Sequence, residues 1–113
     1  MRTILSVIGT RPEAIKMAPV VQQLQRHPSD FTSLVCSTGQ HRQMLDQAFE
    51  LFAITPDLDL HLMTHDQSLA QLTARLFTAL DATLARVQPD CVLAQGDTTT
   101  VLVASLTAFY RHI

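Results

Sequence analysis

The chain has 113 residues, 47% of them apolar and 16% charged, with 3 glycines, 5 prolines and 2 cysteines. That balance excludes a disordered tail, a collagen-like chain and a disulfide scaffold. Eight Lys and Arg against ten Asp and Glu give a formal net charge of −2, so nucleic acid is not an expected partner: no excess of positive charge is there to neutralise phosphates. The size suffices for one core, hence one domain or part of one.

Ile4–Ile8 is a short apolar run rich in β-branched residues, stopped by Gly9-Thr10-Arg11-Pro12, and it reads as a buried strand. It is too short to cross a bilayer and lacks a secretory cleavage pattern, so a cytoplasmic protein without a membrane partner is expected. From Glu13, Ala14, Ile15, Met17, Ala18, Val21 and Leu24 recur at helical spacing, and Pro12 suits the first helical position. Pro19 should kink that helix or split it.

Phe31–Ser37 reads as a second strand, broken at Gly39, and His41–Phe52 as a second helix with Met44, Leu45, Ala48, Leu51 and Phe52 apolar. Leu58-Asp59-Leu60 is a weak third strand. Ser68–Val87 is a long helix whose leucines (Leu69, Leu72, Leu76, Leu80, Leu84) form a core-facing ladder. Pro89 ends it, Asp90–Ala94 is a fourth strand, and Thr100–Arg111 a fourth helix. Cys36 and Cys91 sit in apolar runs and read as buried free thiols, and Met17, Met44 and Met63 as core filler. His61 and His65 read as surface residues.

The order β-α-β-α-β-α-β-α implies an α/β fold, a parallel sheet with flanking helices and right-handed crossovers. Asp90–Ala94 is nearly unbroken apolar, as suits a strand flanked on both sides. With no closing strand after it, the chain is expected to be the front portion of a larger sheet.

In such sheets ligands bind beyond the carboxyl ends of the strands, where three polar segments fall. In the first, Gly9 allows close approach, the following helix offers N–H groups to an anion, and Arg11 and Lys16 add positive charge. This is either a diphosphate cradle or an ordinary structural turn. The second, Thr38-Gly39-Gln40-His41-Arg42-Gln43, is a solvated helix start or a loop that aims Gln40 or His41 into a cleft. No Cys, Asp or second His stands at ligand spacing from His41, so no metal is expected. The third is Gln95-Gly96-Asp97-Thr98-Thr99-Thr100. Asp97 there is a helix cap, or, if a threonine caps, a carboxylate free for acid–base work.

Taken together, Gly9-Thr10-Arg11-Pro12-Glu13-Ala14-Ile15-Lys16-Met17-Ala18-Pro19, Gln40-His41-Arg42-Gln43-Met44-Leu45-Asp46-Gln47 and Gln95-Gly96-Asp97-Thr98-Thr99-Thr100 resemble the bacterial non-hydrolysing UDP-N-acetylglucosamine 2-epimerases. The resemblance runs through all 113 residues. It implies two Rossmann-like domains in the GT-B arrangement, with residues 1–113 a partial N-terminal domain and the C-terminal domain absent. It further implies interconversion of UDP-GlcNAc and UDP-ManNAc by elimination and re-addition of UDP, no cofactor, and a homodimer in the full-length family.

Carried over by position, Arg11 and Lys16 match nucleotide-sugar contacts and Asp97 an essential carboxylate. Gln40, His41 and Gln43 match a segment tied in some members to a regulatory UDP-GlcNAc. The family's next strand, further glutamates and a catalytic histidine fall beyond Ile113, so the chain alone is expected to be inactive. A non-catalytic UDP-sugar-binding module and a complementing subunit of a split epimerase are the alternatives. A glycosyltransferase of the same architecture is disfavoured by the opening motif.

Overall fold

The computed structural model describes residues 1–39, 42–62 and 64–113 and contains every predicted element. These are β1 (Arg2–Ile8), α1 (Arg11–Gln25), β2 (Phe31–Ser37), α2 (Arg42–Leu51), β3 (Leu58–Asp59), α3 (Leu69–Val87), β4 (Cys91–Leu93) and α4 (Thr99–Tyr110). All pairings are parallel, in the order β3-β2-β1-β4. The parallel α/β sheet expected from the alternation is the one found.

Side chains alternate across β1 and β2 and so feed two cores. On one face, Leu5, Val7 and Cys36 meet Leu72, Leu76, Leu80 and Leu84 of α3 and Val103, Ala104 and Ala108 of α4. On the other, Ile8 and Val35 meet Ala14, Met17, Ala18 and Val21 of α1 and Leu45, Ala48 and Phe49 of α2. Each buried leucine contributes about 2 kcal/mol of transfer free energy, so the α3 ladder anchors its face.

Capping explains the helix bounds. Ser68 Oγ accepts from the Gln71 N–H at 3.1 Å, and Gln71 Oε1 accepts from the Ser68 N–H at 2.8 Å, a reciprocal capping box that starts α3. The helix ends at Gln88, left-handed at φ 49, directly before Pro89, whose ring disfavours helical backbone at the preceding residue.

Several expectations need correction. α1 runs from Arg11 to Gln25 through Pro19 without splitting. Pro19 is exposed, as is Ile15, whose carbonyl loses its helical donor there, so water can replace the missing bond. Ile15 itself lies off the buried stripe. Met44 (52% exposed) and Leu51 (76%) are not core residues. The stripe of α2 runs through Leu45, Ala48 and Phe49, and those two fall on its flank. Leu69, the first residue of α3, is exposed ahead of the ladder. Met63 lies outside the described residues.

β4 lacks the second neighbour that its apolar run calls for, as expected of the front portion of a larger sheet. It pairs with β1 alone and forms the sheet edge among the described residues, which leaves Cys91 half-buried rather than buried. Cys36 is fully buried, and both thiols are free.

Candidate functional site

From β1 the chain moves outward to β2 and β3, then returns to lay β4 on the other side of β1. The crevice between the carboxyl ends of β1 and β4 is therefore the point where strand order reverses, the usual ligand position in such sheets. Two turns meet there, Gly9-Thr10 leading into α1 and Ala94–Thr98 leading into α4.

The first turn is organised by Glu13, which is 2% exposed. Its Oε1 accepts from the Gly9 N–H at 2.8 Å and from the Thr10 N–H at 3.3 Å. Thr10 is the N-cap of α1, and Glu13 sits three residues on, the capping-box spacing. This changes what the helix start can offer an anion. The Gly9 and Thr10 amides are taken by Glu13, the Ala14 amide by the Thr10 carbonyl at 3.0 Å, and Pro12 has none. Attraction for an anion here falls to the remaining Arg11 amide and to the side chains of Arg11 and Lys16, both exposed.

The space beside Gly9 is also filled by the chain itself. A Cβ there would collide with Thr100 Oγ1 and stand 2.8 Å from Thr38 Oγ1. Gly9 thus serves close approach of two threonines rather than of a ligand. Thr38 is fully buried and its hydroxyl has no partner among the described residues.

In the second turn Gly96 adopts φ 115, a left-handed value that disfavours any side chain, and a Cβ there would lie 3.7 Å from Glu13 Cγ. Thr98, not Asp97, occupies the N-cap position of α4, yet its side chain makes no cap. Its hydroxyl instead donates to Glu13 Oε2 at 2.5 Å. Asp97 is exposed and makes no hydrogen bond among the described residues. Because β1 and β4 are adjacent and parallel, Arg11, Lys16 and Asp97 stand on turns and a helix start at one rim of the sheet.

Gln43 is exposed in the first turn of α2, after β2. Gln40 and His41 lie outside the described residues. His61 and His65 are exposed. Among the described residues no three His, Cys, Asp or Glu side chains form a metal-binding group, and no helix is long and apolar enough to cross a membrane.

Glu13 has no assigned role in the sequence reading, although it stands inside the opening motif. The signal that finds it is Thr10-x-x-Glu13 ahead of an apolar-periodic segment, the signature of a helix start. Its second bond, to a residue 85 positions away, leaves no trace in the sequence.

Comparison with known proteins gives the family. The family model described as UDP-N-acetylglucosamine 2-epimerase matches residues 22–113. The UDP-N-acetylglucosamine 2-epimerase of Neisseria meningitidis is 54% identical over 110 residues, which are 97% of this chain and 29% of that protein. That of Escherichia coli K12 is 53% identical over the same shares. Among solved structures, the N. meningitidis enzyme bound to UDP-GlcNAc superposes with a TM-score of 0.92 at 53% identity, covering 98% of this chain and 30% of that one. The S. aureus MnaA–UDP structure gives 0.93 at 41% identity, with 100% and 29% covered. The chain therefore spans less than a third of the length of these relatives. Matched over most of its own residues in both sequence and backbone, the chain belongs to the UDP-N-acetylglucosamine 2-epimerase family.

Proposed function

We propose that residues 1–113 supply the amino-terminal half of a sugar-nucleotide cleft in a UDP-GlcNAc 2-epimerase, with the facing GT-B domain provided by the length of the relatives that this chain does not span. The observation that carries the reading is the switch-point rim, where two cations and a carboxylate are held on turns tied together by Glu13. The relatives solved with UDP-GlcNAc or UDP support a nucleotide sugar as the ligand. The open side of β4 and the exposed Leu102, Phe109 and Tyr110 of α4 support a larger parent domain.

The chemistry suits the residues. The C2 proton of the sugar is only weakly acidic, so its removal must accompany departure of the diphosphate. A base takes that proton, the C1–O bond breaks with its electron pair leaving on UDP, and a C1=C2 double bond forms. Protonation of C2 on the opposite face and return of the UDP oxygen to C1 complete the inversion. Arg11 and Lys16 offset the charge that builds on the leaving diphosphate, and Asp97 serves the proton transfer or assists its partner base. Gln43, with Gln40 and His41, belongs to a regulatory UDP-GlcNAc site in this reading. The parent protein works in the cytoplasm as a homodimer.

The test has two parts. Incubated with UDP-GlcNAc, the 113-residue chain forms no UDP-ManNAc; product from the chain alone contradicts the half-cleft. Grafted in place of the matching 110 residues of the N. meningitidis enzyme, it yields an active epimerase that Asp97→Asn slows at least about 100-fold, the scale of a lost acid–base group. A folded but inactive graft, or an unaffected Asp97→Asn variant, overturns the assignment.

A further inference from the structure

Glu13 is a buried carboxylate on which three donors converge. Two are backbone N–H groups of the β1–α1 turn, both on Oε1; the third is the Thr98 hydroxyl, on Oε2. The two oxygens thus serve two different turns. One turn leads directly into Arg11, and the other carries Asp97 immediately before Thr98. Thr98 stands where a threonine ordinarily caps its own helix, but its side chain makes no cap on α4. The hydroxyl is engaged by a residue of another helix.

We propose that Glu13 is a positioning residue of the cleft, fixing the spacing between Arg11 and Asp97 by holding Thr98 away from its capping role. This rests on the proposed nucleotide-sugar site, and it adds a residue that touches no substrate. Three features make the tie effective. The carboxylate is buried, so its bonds face little competition from water. The bonds are made to a charged acceptor and are correspondingly strong. Gly96, at φ 115, supplies the left-handed backbone of the second turn beside the strut, a conformation other residues rarely adopt.

The geometry separates a tie from general stability. In Thr98→Val the bond to Oε2 is lost while both bonds to Oε1 remain. In Glu13→Gln the two amides still find an oxygen, and the new NH2 group donates to Thr98 Oγ1, which can accept. In Glu13→Asp the side chain is one methylene short and cannot span both turns.

The test uses the 113-residue chain with two readouts, backbone amide exchange by NMR and affinity for UDP by chemical-shift titration. In Thr98→Val, exchange at Gly96 and Asp97 accelerates about tenfold while Gly9 and Thr10 stay protected. UDP affinity drops about fivefold. Glu13→Asp reproduces this pattern, and Glu13→Gln, which spans both turns with weaker neutral bonds, loses less in both readouts than Glu13→Asp does.

Unchanged exchange at Gly96 and Asp97 in Thr98→Val overturns the proposal. So does acceleration spread over the whole chain in step with a lowered Tm, which marks a merely structural bond. If the parent chain gives no UDP shifts, it is the nucleotide reading that fails, and exchange at the two turns still decides whether Glu13 sets their spacing.

Discussion

Gly9 shows how one residue's identity is set by neighbours remote in sequence. Its lack of a side chain makes room for hydroxyls from β2's end and α4's first turn, Thr38 and Thr100. Gly9→Ala should therefore destabilise the chain by about 1–3 kcal/mol through overpacking, read from chemical denaturation. Cys36 offers a second test. Burial, with a smaller push from Asp59, raises its thiol from 9.0 to about 12. A group with a raised folded pKa lends stability that is fully present below pH 9 and is lost as pH climbs towards 12. Stability should then decline by at most about 1.4 kcal/mol per pH unit across that window, and Cys36→Ser should flatten the decline. In the native chain an alkylating reagent should modify the half-buried Cys91 well before Cys36.

Helices and strands were legible because their signals are local. The Ser68–Gln71 box, the leucine ladder and Pro89 bracket α3, and Phe31–Ser37 is found with the bounds its apolar run suggested. Ser68→Ala should lower stability by about 1 kcal/mol through loss of that cap, and Leu76→Ala, at the centre of the ladder, by about 2–5 kcal/mol. What was not legible depends on partners. Met44 and Leu51 have the right chemistry for a core but the wrong azimuth on α2. At the candidate site, Arg11, Lys16 and Asp97 draw notice as charged residues in or just after turns that follow apolar strands, but only the family resemblance gives them roles. Glu13 looked like an ordinary helix-start residue because only its local half-bond pattern is written in sequence. The exposed Arg111–Asp81 pair, with Nε–Oδ1 at 2.6 Å, joins the end of α4 to α3. It holds the Asp81 carboxyl below its ordinary range, so its contribution is present at neutral pH and is lost on acidification.

At the level of the whole molecule, four strands are held between two helical layers, but both edge strands, β3 and β4, and the outer side of α4 lack a neighbour among the described residues. The isolated chain should accordingly melt at low temperature with a broad transition; a sharp, cooperative melt of a monomer would show that these four strands suffice. Titrating the 15N-labelled chain with UDP-GlcNAc tests most directly which rim of the sheet meets the nucleotide sugar. Shifts confined to the amides of residues 9–16 and 95–99 are predicted. Shifts clustered at the opposite rim, around Asp30 and Asp90, or none at all, would contradict the account.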